Sequence, residues 1–245
     1  MEKRTEKVTF FLSFISIILS MIAVILNFIP QKEESTSPKI SAAQIYLNGI
    51  HNVVEVKATT PEVGESFGTA ELLTNNGQFV TNAHVVTYTK LGVTNLFDEY
   101  YIRFSNEEEY RTVTLENYDA EKDIAILKLT DISDLTLCPI QTGNSAVLKS
   151  GDKVYAVGNA ANYGIGIFEG LVSIPLVNIE LDGVTRSVIQ CDLTIAAGNS
   201  GGALINDDGE LVGITTFRTK DLSGNVIYGI VYCIPINTVL EYLNQ

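Results

Sequence analysis

The first feature of the hydrophobic pattern is a long uncharged run near the N-terminus. Residues 8–29 are 22 positions without an ionisable side chain. As a helix they would be about 33 Å long, which is enough to cross the hydrocarbon core of a bilayer. The run follows Lys3, Arg4 and Lys7. Because basic residues favour the cytoplasmic side, the pattern predicts a cytoplasmic N-terminus and an exported remainder.

A cleaved signal peptide is the competing interpretation of the same run. It would have a shorter apolar core, followed by a small-x-small cleavage site. The residues 26–30 offer no such site. We therefore favour an uncleaved signal anchor, with residues 1–30 as cytoplasmic N-terminus and membrane segment and the polar residues 31–43 as a linker.

Beyond the linker, short apolar runs alternate with turn signals, which is typical of an all-β domain. After a short helix at 41–48, a first set of six strands is predicted at 53–56, 67–73, 78–82, 100–104, 111–116 and 124–129. Residues 131–143 connect it to a second set of six, predicted at 153–157, 164–173, 186–191, 203–205, 211–217 and 226–233. Asn75-Asn76-Gly77 and Asp207-Asp208-Gly209 are hairpin-turn signals. A final helix should begin after Pro235, with Asn237 as its N-cap.

Composition limits the function classes. With 46% hydrophobic and 18% charged residues the chain is globular rather than disordered. The net charge of −13 argues against nucleic-acid binding and against docking on anionic lipid headgroups. The cysteines Cys138, Cys191 and Cys233 show no metal-binding or redox spacing, so we expect three small, mostly buried side chains. One disulfide between two of them stays open, because the sequence cannot choose a pair.

Three short segments carry the candidate chemistry. Gly198-Asn199-Ser200-Gly201-Gly202 brackets a serine with glycines, which suits a nucleophile beside backbone N–H donors. A serine hydroxyl needs a base, and the base needs a group that holds its tautomer. Thr81-Asn82-Ala83-His84-Val85-Val86 offers His84, one of only two histidines, and Asp123 opens the apolar run up to Leu129. The other histidine, His51, has no such context and is expected at the surface.

The segments T-N-A-H-V-V, D-I-A-I-L-K and G-N-S-G-G-A-L resemble, in this order, the three catalytic blocks of trypsin-like serine proteases of the HtrA (DegP) branch. The likeness extends to Gln190-Cys191-Asp192, Val157-Gly158-Asn159 and Tyr232-Cys233-Ile234-Pro235, and runs from about residue 44 to the end. It implies two six-stranded antiparallel β-barrels, at about 50–130 and 144–235, within a protease domain of residues 44–245. His84 and Asp123 would come from the first barrel and Ser200 from the second.

The resemblance also implies a role for each site residue. Ser200 would be the nucleophile, His84 the base and Asp123 the carboxylate that orients it, while the backbone N–H groups of Gly198 and Ser200 would form the oxyanion hole. Asn199 stands where the digestive branch usually has an aspartate that pairs with a new N-terminus, so we expect no trypsin-style zymogen activation. We also expect no PDZ domain of the kind that many HtrA relatives carry.

The specificity pocket follows from the same resemblance. Its floor and walls would be formed by Thr194 and Ile195, by Thr216, Phe217 and Arg218, and by Ile230. The floor has no carboxylate to receive a basic side chain, so a small or medium apolar residue such as Val, Ala or Ile is expected before the cut bond. Whether Ile230 fills the pocket, or Arg218 leans over its mouth and admits acidic residues, stays open.

Two functions remain at this point. The first is a membrane-anchored serine endopeptidase that acts on exported or misfolded polypeptides, without cofactor or metal. The second is a tethered peptide-binding or chaperone module that keeps the protease fold with little turnover. The three blocks favour the first, and the oligomeric state is left open by the sequence.

Overall fold

The computed structural model describes residues 20–21, 40–181, 183–220 and 226–244, without the side chains of 218–220 and 226. Apart from Ser20 and Met21, the predicted anchor 8–29 lies outside the described residues, as does the linker up to Lys39. Among the described helices, none combines the length and apolarity that a membrane crossing requires.

The first barrel is closed and six-stranded, as predicted. Its strands follow one another around the barrel in the order β1-β2-β3-β8-β7-β6, and all neighbours are antiparallel. Their bounds are β1 Val53–Thr60, β2 Gly64–Leu72, β3 Gln78–Thr81, β6 Glu99–Arg103, β7 Arg111–Asp119 and β8 Ile124–Leu129. The predicted turn at Asn75-Asn76-Gly77 joins β2 to β3, and Gly77 supplies its left-handed φ of 84°.

The second barrel is also closed, six-stranded and antiparallel, in the order β10-β11-β14-β13-β12-β9. Its strands are β9 Lys153–Gly158, β10 Gly166–Leu181, β11 Val184–Asp192, β12 Ala203–Asn206, β13 Leu211–Lys220 and β14 Val226–Pro235. The predicted turn with Gly209 joins β12 to β13. The chain between the end of β8 at Leu129 and the start of β9 at Lys153 connects the barrels and includes residues 131–143.

The two barrels share a core between them. Strand side chains alternate between faces, so one face of a strand can fill its own barrel while the other packs against the neighbouring barrel. On β8, Ala125 and Leu127 fill the first barrel, whereas Ile124 and Ile126 join a cluster with Val157 and other residues of the second. Burial on both faces explains why such strands are continuously apolar in the sequence.

One acidic side chain lies in this apolar environment. Glu71 on β2 is fully buried, and its neighbours on the adjacent strands are Val53 and Val80, both members of the core between the barrels. Neither of its carboxyl oxygens has a hydrogen-bond partner within the described residues. Burial raises the pKa of Glu71 well above its usual value, because the apolar surroundings disfavour the charged carboxylate.

Two parts of the fold differ from the sequence-based expectation. A two-stranded hairpin, β4 Thr87–Lys90 with β5 Val93–Leu96, lies between β3 and β6 and was not predicted, because its residues lack apolar alternation. The β10–β11 hairpin extends further towards its turn than predicted, because β10 continues to Leu181 and β11 begins at Val184. Its strands pair from Leu171 with Asp192 out to Leu181 with Val184.

The helices are short. Helix α1, Ala42–Gly49, begins where expected, with the Ser41 hydroxyl accepting from the Gln44 N–H at 3.2 Å. Helix α2 is the single turn Ala83–Val86, and α3 spans Ile236–Leu243. The predicted N-cap of α3 is wrong: Pro235 holds that position, and the side chain of Asn237 instead accepts from the N–H of Ser145 at 3.1 Å.

The cysteines are only partly as expected. Cys191 and Cys233 are buried, but Cys138 is exposed, which contradicts the expectation that all three are buried. All three are free thiols. Cys138 lies in the connection between the barrels, where no strand face hides it. His51 is exposed, as predicted.

Candidate active site

Asp123 is presented by a tight turn between β7 and β8. Its φ of 58° is left-handed, which is uncommon outside glycine and marks a locally strained backbone. The turn is held by the Asp119 side chain, which accepts from the Lys122 N–H at 2.8 Å. The Asn82 side chain donates to the Asp123 carbonyl at 3.0 Å. The neighbouring segment that contains His84 thus helps to fix the backbone of Asp123.

His84 and Asp123 form a close pair. His84 lies in α2, directly after β3, and its backbone N–H donates to Oδ1 of Asp123 at 3.0 Å. Its ring Nδ1 lies 2.9 Å from Oδ2 of the same carboxylate. Because an ionised carboxylate only accepts hydrogen bonds, Nδ1 carries the proton and Nε2 is left as an acceptor. The His84 side chain is 49% exposed and that of Asp123 only 9%, so the base reaches solvent while its partner is enclosed.

Thr216 from the second barrel completes the surroundings of Asp123. It lies at an irregularity of β13, where the pairing with β14 shifts between Thr215 and Phe217. Such a bulge re-aims a side chain out of the regular alternation. The Thr216 hydroxyl donates to Oδ2 of Asp123 at 2.6 Å. Burial by itself would raise the pKa of Asp123, but the hydrogen bonds and charge of His84 and the Thr216 hydroxyl outweigh it, so this pKa lies below its usual value.

Ser200 also forms a hydrogen bond to Thr216. Its hydroxyl donates to the backbone carbonyl of Thr216 at 2.9 Å. Thr216 therefore contacts Asp123 through its side chain and Ser200 through its main chain. Thr216 thereby links Ser200 by hydrogen bonds to the His84–Asp123 pair, although the three candidate residues are far apart in the sequence.

At two positions of the serine loop, both the close packing and a left-handed φ require glycine. Gly198 has φ of 96°, and a Cβ there would lie 2.2 Å from the carbonyl oxygen of Asn159. Gly201 has φ of 88°, and its Cβ would lie 2.0 Å from the carbonyl oxygen of Thr69. Within the described residues, the backbone N–H groups of Gly198 and Ser200 donate no hydrogen bond, so both remain available to a ligand.

Thr69 of the first barrel forms hydrogen bonds to the serine loop. Its N–H donates to the Ser200 carbonyl at 2.8 Å, and its hydroxyl donates to the Gly198 carbonyl at 2.5 Å. The same hydroxyl accepts from the Asn159 N–H at 3.0 Å. Sequence reasoning missed Thr69, because one threonine beside a glycine carries no local signal of such contacts.

Arg186 of β11 is a second residue that the sequence did not reveal. Its guanidinium donates to the carbonyls of Glu121 at 2.7 Å and of Ala120 at 3.1 Å, both in the turn that presents Asp123. A third hydrogen bond reaches the Leu181 carbonyl at 3.2 Å. The long hairpin of the second barrel is thereby connected to the carboxylate turn of the first.

The residues predicted to form the specificity pocket differ in their exposure and contacts. Ile195 is 6% exposed and packs in the core of the second barrel, whereas Thr194 is exposed. Phe217 and Ile230 are half-buried, and the Phe217 ring lies 5.5 Å from that of Tyr232. Thr216 is engaged with Asp123, as described above. The Arg218 side chain lies outside the described residues.

Asn199 is buried at 1% exposure between the two candidate oxyanion donors. Neither polar atom of its side chain has a hydrogen-bond partner within the described part of the chain. The position that carries an aspartate in the digestive branch is thus occupied here by a neutral amide in an enclosed space.

Comparisons with known proteins agree with this architecture. A family model described as a trypsin-like peptidase domain matches residues 68–214. A probable periplasmic serine endoprotease, DegP-like, of Buchnera aphidicola subsp. Baizongia pistaciae is 38% identical over 173 residues, which are 69% of this chain and 34% of that protein. The serine endoprotease DegS of Haemophilus influenzae is 30% identical over 181 residues, which are 74% of this chain and 50% of that protein.

A solved structure is similar over most of the chain. The HtrA-type protease AlgW with tripeptide has a TM-score of 0.69 and 29% identity, and the match covers 84% of this chain and 63% of AlgW. The chain spans 34% and 50% of the length of the two curated relatives.

Proposed function

This chain belongs to the trypsin-like peptidase family, with relatives of the HtrA type, and on that premise we propose that it is a serine endopeptidase. Its substrates are exported or misfolded polypeptides, and its protease domain comprises residues 44–245. The observation that carries the proposal is the enclosed, ionised Asp123 bound to Nδ1 of His84, with Ser200 on the far side of Thr216.

The chemistry follows from these contacts. The Ser200 hydroxyl leaves the Thr216 carbonyl, turns to Nε2 of His84 and attacks the scissile carbonyl carbon as its proton passes to that nitrogen. Asp123 stays ionised and stabilises the imidazolium. The tetrahedral intermediate collapses as His84 returns the proton to the leaving amine. Water, activated by the same histidine, then hydrolyses the acyl-enzyme.

The oxyanion of the intermediate is stabilised by the backbone N–H groups of Gly198 and Ser200. Their lack of acceptors within the described residues supports this role. Donors fixed in advance near an enclosed site act without reorganisation, and each is worth roughly 3–4 kcal/mol to the transition state.

The side chain before the cut bond is small or medium and apolar in this proposal. The buried Ile195 and the half-buried Phe217 and Ile230 support it, because none of them offers a charge to a basic or acidic side chain. Burying an unpaired cation there would be costly.

A covalent probe tests the catalytic assignment. The full-length protein should react with a fluorophosphonate at Ser200 and degrade unfolded casein, whereas Ser200→Ala and His84→Ala should do neither. Ser187→Ala, which changes an exposed serine of the β10–β11 hairpin, is the matched control and should react normally. A well-folded wild type that is neither labelled nor active would favour the tethered binding or chaperone module instead.

The location in the cell is part of the proposal. Residues 8–29 form an uncleaved, single-pass membrane anchor, with the N-terminus in the cytoplasm and the protease domain outside it. The uncharged run and its basic flank support this topology, as do the DegP-like relatives, which are named as periplasmic proteases.

The topology is tested with external protease, which should remove a C-terminal tag from spheroplasts. Protection of the tag until lysis would reverse the orientation, and a mature N-terminus near residue 30 would indicate cleavage.

A further inference from the structure

We propose that Thr69 is a positioning residue for the oxyanion hole, whose side-chain hydroxyl restrains Gly198 at its carbonyl and, through the Asn159 loop, helps to hold the direction of its N–H. The inference rests on the proposed function and assigns a role to a residue of the first barrel that touches neither the substrate nor the three reacting side chains.

The contacts of the hydroxyl are entirely internal. Thr69 has no solvent exposure. Its hydroxyl donates its one proton to the Gly198 carbonyl and accepts from the Asn159 N–H. Two backbone groups from different loops of the second barrel are therefore joined by one oxygen atom that belongs to the first barrel.

These contacts determine the peptide planes on both sides of Gly198. The plane before it is set by the Ala197 carbonyl, which accepts from the Ala161 N–H at 2.6 Å. In a trans peptide the C=O and N–H point in opposite directions, so this bond directs the Gly198 N–H away from Ala161. The plane after it is set by the Gly198 carbonyl, which Thr69 holds.

Gly198 needs such restraint on both sides. Glycine has no Cβ to limit its dihedral angles, and its φ of 96° is one of several conformations open to it. The loop that supplies the Ala197 contact is itself connected to Thr69, since Asn159 donates to the same hydroxyl. Loss of this one oxygen would release the carbonyl side directly and weaken the anchoring of the other side.

The main chain of Thr69 has a separate function. Its N–H donates to the Ser200 carbonyl, and a substitution of the side chain leaves this bond in place. The second oxyanion donor, the Ser200 N–H, shares its peptide with the Asn199 carbonyl, which accepts from the Gly202 N–H at 2.9 Å and the Thr215 hydroxyl at 2.5 Å, so this donor should also survive when the Thr69 hydroxyl is lost. Substitution of the Thr69 side chain should therefore reduce the rate of acyl transfer without abolishing activity.

The test compares Thr69→Val, which keeps the shape and removes the hydroxyl, with Thr69→Ser, which keeps the hydroxyl. The full-length protein in detergent is assayed with a peptide anilide that has valine before the cut bond. We expect T69V to lower kcat about 10- to 100-fold with KM changed less than about threefold, and T69S to stay within about threefold of wild type. Thr60→Val is the matched control, because Thr60 is also buried in the first barrel and its hydroxyl bonds outside the serine loop, donating to Asp98 and accepting from the Glu62 N–H.

A second measurement separates positioning from general loosening of the site. A peptide boronic acid forms a tetrahedral adduct that uses the oxyanion hole, whereas the same peptide with hydrogen in place of the boronic acid group has no oxygen to place there. T69V should weaken boronate binding by the factor lost in kcat and leave binding of the boron-free peptide unchanged. If T69V does not fold, Thr69→Ala, which fits the same space, takes its place in both measurements.

The outcomes are distinct. A T69V enzyme with kcat within threefold of wild type overturns the inference, as does a T69S enzyme impaired as strongly as T69V or an equal loss of binding of the boronate and the boron-free peptide. Failure of the proposed function looks different, because the wild type itself would then neither react with a fluorophosphonate nor cleave the anilide.

Discussion

The hydroxyl of Thr216 donates a hydrogen bond to Oδ2 of Asp123 at 2.6 Å, and the two residues belong to different barrels. Asp123 is 6% exposed, so its charge depends on the few donors that reach it. Among the described residues, His84 contributes its N–H and its ring to the carboxylate, and Thr216 is the further side-chain donor.

Replacing Thr216 by valine should therefore reduce catalysis without unfolding the protein. A hydrogen bond to a charged group contributes about 1.5–3 kcal/mol, so we expect kcat/KM to fall about 10- to 100-fold. Thr216→Ser keeps the hydroxyl and should retain most of the activity. Steady-state kinetics of both variants measure this difference. Equal activities of T216V and T216S would show that the Thr216 hydroxyl does not contribute to catalysis.

The contacts of Arg186 predict a longer-range effect on the same carboxylate. Arg186→Ala releases the carbonyls of Ala120 and Glu121 in the turn that presents Asp123, so kcat should fall about 3- to 10-fold with little change in KM. Added methylguanidinium should restore part of the loss. The control is Lys153→Ala, whose side chain pairs with Glu169 at the surface. An R186A enzyme with unchanged kcat would show that the turn presenting Asp123 keeps its conformation without Arg186.

Glu71 predicts a pH-dependent stability. Its pKa is raised in the folded protein, so the folded state keeps a proton that the unfolded chain releases above about pH 4.3. The contribution of Glu71 to the free energy of unfolding is fully present below that pH. It is lost by about 1.4 kcal/mol per pH unit as the pH rises towards the pKa of Glu71 in the folded protein. Glu71→Gln cannot ionise and should escape this loss.

Urea unfolding of the wild type and E71Q between pH 4 and pH 8 measures the difference. The two proteins should be similar at pH 4, and E71Q should become increasingly more stable as the pH rises. Glu65→Gln on the exposed end of the same strand is the control and should follow the wild type. A constant gap between wild type and E71Q across the range would mean that Glu71 is ionised in the folded protein.

The apolar surroundings of the pocket predict the cleavage preference. We expect Val, Ala or Ile before the cut bond, with a discrimination of about 1–3 kcal/mol per methylene, which gives a preference rather than strict selection. A peptide library digested with the full-length protein and read by mass spectrometry provides the profile. Dominant cleavage after Lys or Arg would contradict the pocket proposal and leave the catalytic one standing. Cleavage after Asp or Glu would implicate Arg218.

The sequence by itself determined the strand-rich fold and the three residues that carry the proposed chemistry. All twelve barrel strands were predicted, because strands buried on one or both faces keep an apolar pattern that is readable locally. The turns at Gly77 and Gly209 were predicted as well, since glycine supplies their left-handed φ. His84, Asp123 and Ser200 stood out because each lies in a distinctive short segment.

The tertiary structure alone decided which other side chains serve these three. Thr216 lies 93 positions from Asp123, Thr69 lies 129 positions from Gly198, and Arg186 lies 65 positions from Glu121. Each is an ordinary polar residue whose neighbours in sequence give no signal, and its partner is brought within reach only when the two barrels pack together. The same packing buried Glu71, because the face of β2 that covers the second barrel cannot be distinguished from a solvent-facing one until that barrel is in place.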